Sequence, residues 1–191
     1  MFTTAQIPNL ITVARIAMVA PVGLLLWYGS VREALILMAV ASASDALDGW
    51  LARHFGWMSR FGAAMDPVAD KLLVGTLFVI FTLKGIIPIW VALIVLGRDV
   101  IILGGALAYR LLFETIEFAP TYLSKANTAV QIVLLLLLLI AQCGFDWISG
   151  AAALLADPYG FWVLAALGLT SGLDYVITWS LRAVRRAKAA L

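Results

Sequence analysis

The chain has 191 residues, of which 64% are hydrophobic and only 13% are charged, and its formal net charge at pH 7 is +2. So few charged side chains do not give a domain of this length a water-soluble surface. The composition therefore excludes an ordinary soluble globular protein and favours an integral membrane protein. A single cysteine excludes an internal disulfide bond.

Apolar stretches long enough to cross a bilayer recur along the whole chain. A membrane-spanning helix needs roughly 20 mostly apolar residues, because the hydrocarbon layer is about 30 Å thick. Gly, Pro and charged residues separate six such stretches, at about 7–28, 32–54, 62–83, 87–112, 122–143 and 158–181. The segment QIVLLLLLLIAQ, residues 131–142, is apolar all round, which is typical of a helix that faces lipid. We therefore predict an all-α integral membrane protein with six transmembrane helices, folded as a single domain over residues 1–191.

The basic residues are distributed unevenly between the two ends of the predicted helices. With six spans both termini lie on one side of the membrane, and Arg32 and Lys84 lie on the other. The remaining basic residues all fall on the side of the termini: Arg15, Arg53, Arg60, Lys71, Arg98, Arg110, Lys125, Arg182, Arg185, Arg186 and Lys188. Because Lys and Arg accumulate on the cytoplasmic side of membrane proteins, both termini are predicted to be cytoplasmic. No Arg-rich transit peptide is visible, so we expect a multi-pass protein of a bacterial inner membrane.

Four aspartates lie in the apolar context of SDALDGWLARHFGWMSRFGAAMDPVADKLL, residues 44–73. Asp45 and Asp48 are three residues apart, and Asp66 and Asp70 are four apart, so each pair shares one helix face. The segment between the two pairs is short, which predicts antiparallel neighbours with the four carboxylates in one cytoplasm-facing pocket. An oxygen-only set of carboxylates suits two hard divalent ions, Mg²⁺ or Mn²⁺, as in two-metal sites for phosphoryl chemistry.

Three roles other than a catalytic metal site could account for the four aspartates. Buried ion pairs with Arg53, Arg60 and Lys71 account for the charges, but pairing alone rarely needs four acids within a membrane segment. A divalent-cation transporter or channel needs a site near the bilayer midplane, whereas these acids lie near span ends. A non-catalytic lipid-binding or scaffold protein needs no general base among the aspartates.

The same segment carries a longer pattern with fixed gaps: Asp45-x2-Asp48-Gly49-x2-Ala52-Arg53-x8-Gly62-x3-Asp66-x3-Asp70. This pattern resembles the signature of the CDP-alcohol phosphatidyltransferases, a family of homodimeric membrane enzymes with six spans. Members displace CMP from a CDP-linked lipid with a hydroxyl nucleophile at a di-metal site near the cytoplasmic face. The resemblance implies that the four aspartates ligate the metals and that Asp70 is also the general base.

The resemblance also implies a nucleotide pocket beside the metals. IPNLITVAR, residues 7–15, is similar to the first-helix element of the family, which lies beside the nucleotide. Capping of the first helix accounts equally well for Asn9 and Thr12. The residues expected to line the nucleotide pocket are Asn9, Thr12, Asp48, Gly49, Ala52, Arg53 and Gly62.

A second group of basic residues is a candidate for binding the phosphate of the acceptor alcohol. The group comprises Arg15, Arg98, Arg110 and Lys125, all on the predicted cytoplasmic side. Local ion pairs are the alternative: Arg98 with Asp99, and Lys125 with Glu114 or Glu117.

Resemblance to one branch of the family indicates which alcohol accepts the phosphatidyl group. IPNLITVARI and SRFGAAMDPVADKLL look like the branch of phosphatidylglycerophosphate synthases and cardiolipin synthases. The glycerophosphate enzymes tend to have Gly-Lys-x-Lys-Thr where this chain has SKANT, residues 124–128, with Asn127 in place of the second lysine. Fewer cations suit the monoanion phosphatidylglycerol better than the dianion glycerol 3-phosphate. We therefore expect CDP-diacylglycerol and phosphatidylglycerol as substrates, with glycerol 3-phosphate as the alternative acceptor, membrane lipids as surroundings and no nucleic-acid partner.

Overall fold

The computed structural model describes the backbone of residues 7–54, 60–113 and 121–189, and the side chains of residues 16–43, 71–105 and 121–180. Every regular element in these ranges is helical, which confirms the predicted all-α class. The helices are α1 (Ile7–Trp27), α2 (Val31–His54), α3 (Arg60–Leu83), α4 (Ile89–Phe113), α5 (Tyr122–Gln142), α6 (Asp146–Leu154) and α7 (Phe161–Ala189).

Six of these helices coincide with the six predicted spans, although α7 continues beyond residue 181 to Ala189. Within the described residues, two segments are long and apolar enough to cross a membrane, Tyr122–Gln142 and Asp146–Ser180. The number of helices that cross the bilayer stays a prediction. Residues 143–157, expected to be an irregular break, contain the additional helix α6.

The helices form two compact units, Met1–Lys84 and Gly85–Leu191. In the first unit, α1 and α2 form a hairpin around Gly29, where φ is +87°. The amide of Gly29 donates to the carbonyl of Leu26 at 3.2 Å, and the amide of Ser30 donates to that of Leu25 at 2.9 Å. This pair of hydrogen bonds is a Schellman motif, which ends α1 where glycine accepts the left-handed backbone. The two helices therefore run in opposite directions and pack on each other.

Helix α3 packs on α1 as well. Gly23 of α1 makes the close approach possible, because a Cβ atom at this position would lie 3.4 Å from Cδ1 of Ile80 and 3.5 Å from Cγ2 of Thr76. Around this contact, Leu26, Leu77, Phe78 and Phe81 are almost completely buried. Within the described side chains, most buried residues of the first unit lie between the last turns of α1 and the second half of α3.

In the second unit, α4 and α7 run parallel. Their contacts advance along both helices in the same direction. Near the start of each helix, the rings of Trp90 and Trp162 lie 5.1 Å apart between centroids, tilted by 41°. Further along, Arg98 reaches Ser171 at 3.0 Å, and the hydroxyl of Tyr175 donates to the carbonyl of Ile102 at 3.2 Å. Gly168 and Gly172 of α7 face α4, so small residues set the helix separation.

Helix α5 runs antiparallel to α7, since Asn127 lies near Gly168 and Leu134 near Gly160. It begins at the N-cap Thr121, whose hydroxyl accepts from the amide of Ser124 at 3.3 Å. The stretch expected to face lipid all round has one buried face, which comprises Gln131, Leu134, Leu135, Leu138 and Leu139. The alternating directions of α4, α5 and α7 agree with the order of the last three predicted spans.

Helix α6 folds back onto the end of α5 through one serine. The hydroxyl of Ser149 donates to the carbonyl of Ile140 at 2.7 Å and accepts from the amide of Phe145 at 2.7 Å. The chain then turns into α7 at Asp157, whose extended backbone (φ −120°, ψ 121°) suits a residue before proline.

Candidate functional site

The four aspartates lie on the backbone of two neighbouring helices in the first unit. Asp45 and Asp48 fall in the second half of α2, and Asp66 and Asp70 fall in the first half of α3. Five residues separate α2 from α3, so the two helix ends lie within about 20 Å of each other. The backbone thus permits the predicted convergence, while the four carboxylates themselves lie outside the described side chains.

The hairpin of α1 and α2 places the first-helix element at the same end of this unit as the aspartates. Asn9 and Gly49 lie at equal distances along the chain from the turn at Gly29, on helices of opposite direction. Helix α1 begins at Ile7, so Asn9 and Thr12 lie inside the helix rather than at its N-cap. This position weakens the capping alternative for both residues.

The structure does not describe the side chains of the other residues predicted to line the nucleotide pocket. These residues are Asn9, Thr12, Gly49, Ala52, Arg53 and Gly62. The same holds for Arg15 and Arg110 of the predicted phosphate group. Their backbone positions are on helices α1, α2, α3 and α4. Their roles stay predictions.

Arg98 is the predicted site residue that the structure describes most fully. Its side chain is only 5% exposed, although a guanidinium is strongly hydrated in water. Nη1 donates to the carboxylate of Asp99 at 2.7 Å. Nη2 donates to the hydroxyl of Ser171 on α7 at 3.0 Å and to the hydroxyl of Ser124 on α5. Three helices therefore hold one buried cation.

These contacts confirm the ion pair of Arg98 with Asp99 that was one alternative from the sequence. Lys125 behaves differently, because its side chain is exposed and its Nζ lies 5.8 Å from the ring centroid of Tyr122. Glu114 and Glu117 fall outside the described residues, so the pairing expected for Lys125 is not tested. The structure does not bring Lys125 to the buried guanidinium of Arg98.

Two neutral amides continue the polar interior beyond Arg98, and the sequence did not single them out together. Asn127 and Gln131 are one turn apart on α5 and are 0% and 1% exposed. Within the described side chains, no hydrogen-bond partner contacts either amide group or Nε of Arg98. The signal in the sequence was two amides at i and i+4 in an apolar helix, which places both on one face.

Comparison with known proteins identifies the family of this chain. A sequence profile described as CDP-alcohol phosphatidyltransferase matches residues 5–174, which cover most of the chain and both compact units. The chain belongs to the CDP-alcohol phosphatidyltransferase family. The signature from Asp45 to Asp70 lies within the matched region, so the resemblance seen in the sequence is confirmed at the level of the family.

Two differently named kinds of curated protein are among the relatives of this chain. "Cardiolipin synthase (CMP-forming)" of Homo sapiens is 33% identical over 144 residues, which are 67% of this chain and 48% of the relative. "CDP-diacylglycerol--glycerol-3-phosphate 3-phosphatidyltransferase" of Rickettsia typhi is 31% identical over 177 residues, which are 89% of this chain and 94% of the relative. The chain thus spans about half the length of the cardiolipin synthases it matches. The similar identities do not decide between the two acceptors.

Proposed function

We propose that this chain transfers the phosphatidyl group of CDP-diacylglycerol to phosphatidylglycerol and releases CMP, which makes it a cardiolipin synthase. Membership of the phosphatidyltransferase family supports the reaction class, and the names of the human and rat relatives support this acceptor. The reaction takes place on lipids within the membrane, with the site on the cytoplasmic side of a bacterial inner membrane. We also propose that the chain crosses the membrane six times, has both termini in the cytoplasm and forms a homodimer.

The four aspartates fit a pair of divalent ions by the chemistry of their donor atoms. Two carboxylates from α2 and two from α3 supply only oxygen ligands, which Mg²⁺ and Mn²⁺ prefer. We assign Asp45, Asp48, Asp66 and Asp70 to this role. When bound, the ions neutralise charge on the diphosphate and on the departing CMP.

Asp70 takes the proton from the attacking hydroxyl in this proposal. The hydroxyl oxygen forms a bond to the phosphorus that carries the diacylglycerol, and the bond from that phosphorus to the CMP oxygen breaks. CMP leaves with the electron pair. A general base must lie within hydrogen-bond reach of the hydroxyl whose proton it takes. The residues expected around the nucleotide are those of the first-helix element and Gly49, Ala52, Arg53 and Gly62.

The charge balance around Arg98 is the observation that carries the choice of acceptor. One buried guanidinium is already paired with Asp99, and the next polar residues inward, Asn127 and Gln131, are neutral. Among the described side chains Arg98 is the only buried cation, and one positive charge matches the single negative charge of a phosphodiester. A dianionic phosphomonoester would leave more charge without a counterion in a region of low dielectric. Arg15, Arg110 and Lys125 stay separate candidates for binding the acceptor phosphate.

Glycerol 3-phosphate is the second candidate acceptor. The relatives that this chain matches over nearly their full length, such as that of Rickettsia typhi, are named for glycerol 3-phosphate. In this case the product would be phosphatidylglycerophosphate.

A competition reaction separates the two candidates. Purified protein receives CDP-diacylglycerol, Mg²⁺ or Mn²⁺, and equal amounts of phosphatidylglycerol and glycerol 3-phosphate, and the lipid products are separated and quantified. The proposal predicts that cardiolipin accounts for nearly all CMP released. Phosphatidylglycerophosphate as the main product would contradict it and would favour the second candidate.

A further inference from the structure

The face of α7 that meets α4 is built from three small residues, Gly168, Ser171 and Gly172. A Cβ atom at Gly168 would lie 3.0 Å from Cγ2 of Ile94, and one at Gly172 would lie 3.6 Å from Cγ of Arg98. These glycines let the two helices approach until backbone and short side chains are in contact. Ser171 is the only one of the three with a polar side chain, and it is 1% exposed.

The hydroxyl of Ser171 is directed at the guanidinium of Arg98. Nη2 of Arg98 donates one hydrogen bond to this hydroxyl at 3.0 Å and another to the hydroxyl of Ser124. The carboxylate of Asp99 accepts from Nη1 at 2.7 Å. The two serines thus hold the opposite nitrogen of the guanidinium, and Ser171 is the more deeply buried of the two.

A serine hydroxyl can orient the guanidinium of Arg98 without adding a charge. The ion pair with Asp99, an adjacent residue on α4, fixes one nitrogen but leaves the guanidinium plane free to rotate about it. A second anchor on another helix fixes the plane, so that the remaining N–H groups keep one direction toward an anion. A neutral hydroxyl does this without cancelling the positive charge that a phosphate needs.

We propose that Ser171 is a positioning residue, which orients Arg98 for binding the phosphate of the acceptor; this rests on the role of Arg98 in the proposed function. Loss of the Ser171 hydroxyl leaves one buried N–H of Nη2 without its acceptor. Of the two serines only Ser124 then holds this nitrogen, and the guanidinium plane is fixed less firmly. Affinity for the anionic acceptor falls, while binding of CDP-diacylglycerol and the chemical step are retained.

The test compares full-length Ser171→Ala, Ser171→Thr and wild type, assayed with phosphatidylglycerol in mixed micelles. We expect Ser171→Ala to raise the KM for phosphatidylglycerol about tenfold, since a hydrogen bond to a charged group contributes about that factor or more. The KM for CDP-diacylglycerol and kcat stay within about twofold. Ser171→Thr keeps a hydroxyl and restores most of the acceptor affinity.

Thr170→Ala is the matched control. Thr170 is exposed and its hydroxyl donates to the carbonyl of Ala166 in its own helix at 2.7 Å, so its removal leaves every kinetic constant unchanged. A melting temperature is measured for each variant. If Ser171→Ala changes the KM of both substrates and kcat together with a lower melting temperature, its role is structural and the proposal is wrong.

Arg98→Gln distinguishes failure of this inference from failure of the proposed function. If Arg98→Gln raises the acceptor KM and Ser171→Ala does not, the positioning role of Ser171 is overturned and the phosphate site stands. If Arg98→Gln leaves the acceptor KM unchanged, the phosphate site itself is overturned, and the inference about Ser171 falls with it.

Discussion

At the scale of single residues, the interior of the second unit contains polar groups to which none of its described side chains forms a hydrogen bond. Asn127 and Gln131 lie fully buried on α5, and no described group forms a hydrogen bond to their amides. A buried amide without a partner costs about 1–3 kcal/mol in proteins. Gln131 is one turn further from Arg98 than Asn127, so its amide is the less useful of the two to an anion site.

We therefore expect Gln131→Met to raise the melting temperature in detergent or leave it unchanged, because it removes an unpartnered amide at nearly constant volume. Leu138→Gln is the matched control. Leu138 is 4% exposed two turns along the same helix, and a new amide there should lower the melting temperature. A clear loss of stability in Gln131→Met would show that this amide has a partner in the folded protein.

At the scale of helices, the long apolar elements were predictable and the contacts between them were not. Runs of roughly 20 apolar residues between Gly, Pro and charges have one stable form in a bilayer, so six helices were predicted within a few residues of most of their observed ends. Helix α6 was missed because its nine residues are too few to span, and it forms where Ser149 ties it to Ile140. The contact of Arg98 with Ser171 joins residues that are 73 apart in the sequence. The small residues Gly168 and Gly172 were the signal in the sequence for the face of α7 that packs against α4.

The turn from α6 to α7 gives a prediction at this scale. A Cβ atom at Gly160 would lie 2.6 Å from Cδ1 of the buried Leu134 and 3.1 Å from the carbonyl oxygen of Leu155. We expect Gly160→Ala to destabilise the protein by about 1–3 kcal/mol, because α5 and the turn must move apart. Gly150→Ala in α6 meets no atom within 4 Å, so it should be neutral or slightly stabilising. Thermal unfolding of both variants in detergent is the measurement, and equal melting temperatures would contradict the close contact.

At the scale of the whole molecule, the two ends of the helices differ in charge. Eleven basic residues were assigned from the sequence to the side that carries both termini, and the observed directions of α4, α5 and α7 are compatible with this assignment. The aspartate signature could be proposed as a site from the sequence because it is contiguous within two consecutive helices. The geometry of the proposed acceptor site could not, because it depends on which faces of α4, α5 and α7 meet around Arg98.

Labelling of single cysteines tests this orientation. In a Cys143→Ala background, Lys84→Cys should react with a membrane-impermeant maleimide in intact cells, since Lys84 is exposed and is predicted to lie outside the cytoplasm. Ser59→Cys, in the connection between α2 and α3, should react only after the membrane is permeabilised. The opposite pattern would show that the chain is inserted in the inverse orientation.

The measurement that tests the central claim most directly is CMP release from CDP-diacylglycerol by Asp70→Asn beside wild type, each with and without EDTA. The account predicts that wild type is inactive with EDTA and recovers when Mg²⁺ or Mn²⁺ is restored. It predicts that Asp70→Asn loses nearly all turnover under every condition while still binding CDP-diacylglycerol, because the base is gone and three carboxylates remain. Turnover that persists in EDTA would contradict the metal site, and near-normal turnover of Asp70→Asn would contradict the assignment of the base.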